Sequence, residues 1–178
     1  MSVWDTIGKA NATQGGTPFA PGTRGVCTVL ALREKTSSEG KGEILILEAA
    51  IETSEKKSDK YLTNASENKQ ADVLTQSPGT EVSSVYMLTQ HKAAPGAAKA
   101  MLLAVVGEKE SSLTPEAWQK IVELAKHDNG ALLKGTKVGF DVYTKETKVR
   151  KMTIHPVKFT HIEQTDEEIE ANAKRYTK

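Results

Sequence analysis

Cysteine is almost missing from this chain: Cys27 stands alone among 178 residues. One thiol excludes an internal disulfide framework and any cysteine-rich zinc site, and it makes a reducing compartment the expected setting. Long apolar runs are missing too. No stretch approaches the roughly 20 residues that span a bilayer, and the N-terminal MSVWDTIGKANATQGG lacks the basic start and apolar core of a signal peptide. A cytoplasmic location follows as the expectation (the host cell's cytoplasm if the protein is viral). Aromatic residues make up only 5%, and the formal charge is +1. A near-neutral chain argues against a whole-surface polyanion binder but leaves room for a local basic groove.

What is present is an ordinary globular composition, 38% apolar and 26% charged. It suits one domain with appendages and a core that needs no staples. The charge is uneven: residues 91–164 carry 12 Lys or Arg against 8 Asp or Glu, whereas residues 1–90 carry 9 against 11. The excess concentrates in KGTKVGFDVYTKETKVRKMTIHPVKF (134–159), which interleaves Lys137, Lys145, Lys148, Arg150 and Lys151 with Phe140, Tyr143 and Phe159.

Along the chain, residues 1–24 read as an arm, because GGTPFAPGTRG is too dense in Gly and Pro for a regular element. Trp4 and Phe19 are the groups that would pin it. GVCTVLALREKT (25–36) and EILILEAAIETS (43–54) read as strands of a hairpin turning at SSEGKG. Residues 56–81 form a long polar loop, usually a sign of function, disorder or a misread element. VSSVYMLTQ (82–90) is a third strand.

Two helices follow. PGAAKAMLLAVVG (95–107) has Pro at its start and Gly at its end. LTPEAWQKIVELAK (113–126) offers Thr114 as N-cap and Pro115 at the first helical position. TKVGFDVYTK (136–145) and TKVRKMTIHPVKFTHIE (147–163) are the last strands, the second interrupted by Pro156, which requires a bend, bulge or edge position there. In the first of them Val138, Phe140 and Val142 share one face, while Lys137, Tyr143 and Lys145 share the other. TDEEIEANAKRYTK opens with Thr165 and Glu168 at capping-box spacing, predicting a short C-terminal helix over part of 164–178.

The order β-β-β-α-α-β-β predicts a mainly β protein with helices. More specifically it predicts a five-stranded OB-like barrel over 25–163, with an N-terminal arm and a short C-terminal helix. That fold binds oligonucleotides on its middle strands and in two of its loops.

Enzyme chemistry finds little footing. GALLKGTK (130–137) misses the phosphate-binding loop pattern, since Thr136 precedes Lys137 and a strand follows. His91, His127, His155 and His161 lack the spacing of a zinc site. Cys27, among Val26, Thr28 and Val29, reads as a small buried residue. Glu48 and Glu52 read as solvated strand positions, and DEEIE (166–170) as either a capped surface helix or an acidic docking tail. No enzyme, metal or cofactor is expected.

The basic and aromatic constellation fits single-stranded nucleic acid, whose exposed bases stack on aromatic rings while cations track the phosphates. Tyr143 is the best stacking candidate. Arg33, Lys35, Lys137, Lys145, Lys148, Arg150 and Lys151 are the phosphate candidates. Tyr61 and Tyr86 serve either packing or base contact, and a simple solubilising role for the cations stands beside this reading.

PGTEVSSVYMLTQHKAAPGAAKAMLLAVVG (78–107) and the first hairpin resemble phage-encoded single-stranded DNA-binding proteins of the OB-fold type. The resemblance implies a bacteriophage protein, non-enzymatic and without cofactor, that coats unpaired strands in DNA replication or recombination. It implies partners among replication or recombination proteins, although AKRYTK at the terminus departs from the acidic tail of such proteins. The edge near Pro156 and the N-terminal arm offer surfaces for homo-oligomers. The alternative is a protein-interaction or assembly adaptor on the same barrel. An enzyme with an unrecognised metal-dependent nuclease site stands third.

Overall fold

The computed structural model describes residues 17–36, 42–57, 75–89, 91–143, 145–146 and 153–177, with backbone pairing only for 145–146 and 153–154. The chain enters through β1 (Thr17–Pro18), followed by β2 (Thr23–Thr36), β3 (Glu43–Lys56) and β4 (Glu81–Met87). Helix α1 (Ala94–Val106) and α2 (Pro115–Lys126) come next, then β5 (Lys137–Val142), β6 (Lys145–Glu146), β7 (Thr153–Ile154), β8 (Val157–His161) and α3 (Asp166–Arg175). A 3-10 turn at Glu110–Ser112 precedes α2, and a segment His127–Leu133, kinked through left-handed Asp128, Asn129 and Gly130, follows it.

Six strands form one sheet in the order β1-β4-β3-β2-β5-β8, and β6 and β7 make a separate two-stranded ribbon. Only the β1–β4 pairing is parallel. β2, β3 and β4 are consecutive, and β5 returns by a helical connection to lie beside β2, which is Greek-key order. The expected closed five-stranded barrel is therefore corrected to an open, mostly antiparallel sheet with helices. The ladder ends at β1, which pairs with two residues on the outer edge of β4, and at β8 on the other side, with no pairing between them among the described residues. Side chains cross the gap instead: the Phe19 ring lies 5.0 Å from that of Phe140 on β5 and 5.7 Å from that of Phe159 on β8.

β2 and β3 are 14 residues each and pair along their whole length. Register shifts at Val26/Cys27 and Val29/Ala31 bend the pair, as bulges do. Their inward faces place Cys27, Val29, Leu32, Leu47 and Ile51 in the core. β5 alternates as its sequence demands, with Val138, Phe140 and Val142 at 0%, 3% and 1% exposure. α1 buries Met101, Leu102 and Leu103 and packs against both β4 and β8, and Gly107 ends it in the left-handed conformation (φ 79°). Thr114 caps α2 by accepting from the Ala117 N–H at 3.1 Å, and Trp118 packs partly buried on the core.

Residues 147–163 do not form one strand. β7 ends before His155, and β8 starts after Pro156 and lies at the sheet edge, where a residue without an N–H costs no ladder bond. The Pro156 carbonyl accepts the Tyr143 N–H at 2.9 Å. The arm and the long loop also change at their ends: Phe19 is core, β2 starts at Thr23, and β3 runs on through Lys56 to a buried Lys57. Trp4, the hairpin tip and residues 58–74 of the polar loop, Tyr61 among them, fall outside the described residues.

Candidate nucleic-acid interface

Residues directly opposite one another on neighbouring strands project to the same face. The register pairs Arg33 with Ile46 and Ile46 with Val85; two residues on, it pairs Lys35 with Ile44 and Ile44 with Met87. Two parallel rows result on the face away from the core, each running cation, isoleucine, aliphatic side chain. They are spaced by two residues, about 7 Å. Val85 and Met87 are the exposed aliphatic members, at 43% and 36%, whereas Ile46 between Arg33 and Val85 is buried. Arg33 Nε contacts Glu48 Oε1 at 2.8 Å, whereas Lys35 makes no ion pair among the described residues. Exposed pairs such as Arg33–Glu48 contribute roughly 0–1 kcal/mol, so a phosphate could replace the carboxylate at little cost.

Tyr86 does not belong to this face. It lies between Val85 and Met87, so strand alternation turns its ring inward, where it is 7% exposed. Burial pushes its phenol up to about 12. Of the two roles open to Tyr86, packing is the one it fills, and the parity that buries it exposes its neighbours. Val85 and Met87 were not singled out from the sequence; the alternation within VSSVYM was the signal that could have found them.

At the other end of the sheet, Arg24, Asp141 and Lys158 form a third outward row. Arg24 is paired with Glu55 at 2.7 Å. Lys158 is exposed and makes no ion pair among the described residues. Tyr143 follows Asp141 on the same face, 36% exposed. The Lys57 ammonium lies against the Asp141 carboxylate, donates to the Val142 carbonyl at 2.9 Å and sits 4.0 Å from the centre of the Tyr143 ring. Burial, helped by the Arg24 charge, pulls the Lys57 pKa down. The β6–β7 ribbon leaves immediately beyond. Lys145 lies on β6, while Lys148, Arg150 and Lys151 lie outside the described residues.

Of the sequence candidates, Arg33, Lys35, Lys137 and Tyr143 share the outward face without forming one cluster. Arg24 and Lys35 lie eleven residues apart on β2, roughly 35 Å for an extended strand. Lys137 sits between, beside Thr28 in register, with its backbone N–H and carbonyl both bonded to the Gln164 amide at 2.8 Å.

Next to Lys137 the C-terminal helix docks on the sheet. Its capping box is complete: Thr165 accepts from the Glu168 N–H at 3.2 Å, and Glu168 accepts from the Thr165 N–H at 2.9 Å. Buried Asn172 donates to Thr28 Oγ1 at 2.8 Å and to the Gly135 carbonyl at 2.9 Å. Gly135 sits at φ +93°, and a Cβ there would lie 2.2 Å from the Ile169 carbonyl oxygen, so helix and strand meet only through glycine.

Glu52, expected to be merely solvated, is an anchor of this docking. It accepts from Thr28 Oγ1 at 2.6 Å and from the Tyr176 hydroxyl at 2.7 Å, and pairs with Arg175 at 3.4 Å. Burial alone would raise its pKa. The hydrogen bonds from Thr28 and Tyr176 and the charges of Arg175 and Lys137 outweigh burial and hold it below the ordinary carboxylate value.

Cys27 is fully buried, and burial, reinforced by the Glu52 charge, pushes its thiol far up. His161 Nδ1 lies 2.9 Å from the Ala104 carbonyl, a structural contact between β8 and α1. Residues 130–137 run from the kinked His127–Leu133 segment into β5. Among the described residues, no group of three or more His, Cys, Asp or Glu could hold a metal ion, and no helix is long and apolar enough to cross a membrane. No protein-family model and no curated protein matches the chain.

Proposed function

We propose that this protein binds single-stranded DNA, largely without regard to sequence, and coats unpaired strands in replication or recombination as a non-enzymatic phage-type protein. The observation that carries the reading is the pair of outward rows, Arg33–Ile46–Val85 and Lys35–Ile44–Met87. Cations there can follow phosphates on β2 while the exposed Val85 and Met87 meet bases on β4. The strand path supports it too. β2, β3, β4, β5 and β8 follow OB-like order, with the helical crossover between the third and fourth of them. In that arrangement the outward middle strands and the loops at their two ends take the ligand. Here those loops are the β2–β3 turn beyond Lys35 and the β6–β7 ribbon beyond Tyr143. The resemblance of 78–107 and the first hairpin to phage single-strand binders points the same way.

A salt titration of oligo-dT binding tests the reading. Binding at low ionic strength that weakens steeply as salt rises is the expected outcome. Failure to bind at any ionic strength would remove it. The exposed Val85 and Met87 also favour the adaptor alternative, because apolar groups near a sheet edge suit a protein partner as well as a base. A defined partner in pull-down together with no affinity for oligo-dT would select the adaptor.

A further inference from the structure

Lysine is almost never fully buried unless it is paired. Lys57 is the one lysine or arginine buried among the described residues, its side chain 1% exposed. Its place is fixed from the backbone outward: the Lys57 N–H donates to the Gly22 carbonyl at 3.0 Å, which ties the end of β3 to the turn before β2. The ammonium then reaches across to β5, to the Asp141 carboxylate, the Val142 carbonyl and the Tyr143 ring. Asp141 and Tyr143 are two apart and project from the same face, so a single cation lodged between them touches both.

We propose that Lys57 is a positioning residue that holds the Tyr143 ring as a stacking platform for one base of a bound single strand. The inference rests on the single-strand reading above and deepens it by assigning a base subsite at the root of the β6–β7 ribbon. A cation within 6 Å of an aromatic centre is attracted to the ring, and 4.0 Å is well inside that range. Tyr143 is held a second time through its N–H on the Pro156 carbonyl. With cation and backbone both fixed, the ring has little freedom left to lose when a base stacks on it, and the ordering cost of binding falls. The 36% of Tyr143 left exposed is the surface available to the base. Lys158, across from Asp141 in register, is placed to meet an adjoining phosphate. Lys57 itself is too buried to reach one. It acts through the ring.

That division of labour sets the experiment. Oligo-dT affinity is measured across a range of salt for the full chain and for Tyr143→Ala, Tyr143→Phe, Lys57→Met and the double variant Lys57→Met/Tyr143→Ala. Tyr143→Ala should weaken binding about 5- to 150-fold, the range found for one stacked base, while Tyr143→Phe keeps it. Lys57→Met should weaken binding by part of that factor with an unchanged salt slope, and should add nothing once Tyr143 is already alanine.

Lys57→Met leaves Asp141 without its cation and could unfold the protein. Lys57→Met/Asp141→Asn removes both charges and is read beside it, with circular dichroism as the check on folding. A Tyr143→Ala protein that binds as tightly as wild type would overturn the inference while the single-strand reading stands. So would an equal loss from Lys57→Met with and without Tyr143, which would mark a purely structural lysine. A wild-type protein that ignores oligo-dT would instead sink the reading on which the inference rests.

Discussion

Asn172 and Thr28, 144 positions apart, meet at 2.8 Å, the amide Nδ2 donating to the hydroxyl, with both residues buried. The Thr28 hydroxyl donates onward to Glu52, and Glu52 accepts from Tyr176, so the contact is part of a chain of hydrogen bonds that begins and ends in the C-terminal segment. α3 buries few apolar groups, and polar contacts of this kind do much of the docking. Asn172→Ala should therefore lower stability by about 1–3 kcal/mol, the cost of leaving buried groups without partners. Urea unfolding would show this as a lower midpoint at constant slope. An unchanged midpoint would mean that α3 contributes nothing to the fold.

Glu52 gives the same docking an acid limit. Its folded pKa lies below the ordinary value of 4.5. Its contribution is complete above that value and is lost as pH falls through the lowered folded pKa. The stability gap between wild type and Glu52→Gln should thus be widest near neutrality and close in acid. Thermal unfolding of the two proteins along a pH series measures it; a gap independent of pH would contradict the assignment.

The outward rows separate two kinds of binding loss. Lys35→Gln should weaken oligo-dT binding and reduce the salt slope by about 0.7, one phosphate contact on a single strand. Met87→Ala should weaken binding with the slope intact, because an aliphatic side chain releases no counterion. Loss of slope in the methionine variant would place phosphate rather than base beside β4.

Cys27 should be chemically silent. Burial removes both access and thiolate character, so a thiol reagent should label no cysteine in the native protein and one after denaturation. Rapid labelling of the native protein would show that β2 opens locally.

Local pattern was legible wherever one residue's neighbours decide its state. The alternation in KVGFDV announced which side of β5 is core, and the Thr114 and Thr165 caps announced two helix starts. Phe19 was recognisable as the pin of the arm because a free arm seldom keeps a large ring. What the sequence hid depends on distant partners. KKSDK reads as a polar loop, yet Lys57 is buried because β5, more than 80 residues later, supplies Asp141 and the Val142 carbonyl. Glu52 looks like any solvated strand glutamate until α3 arrives with Tyr176 and Arg175. The two-residue β1 has no periodicity to read at all, yet it takes up part of the outer edge of β4.

The position of β2 has a consequence during synthesis. Its β3 side can pair as soon as the first hairpin has been made, but its other edge waits for Lys137–Val142, and Thr28 waits for Asn172. A nascent chain therefore carries a long, bare strand edge for much of its translation, and such an edge is a template for another chain. Any truncation ending short of β5 keeps that edge permanently, which makes the last quarter of the sequence a requirement for solubility as well as for shape.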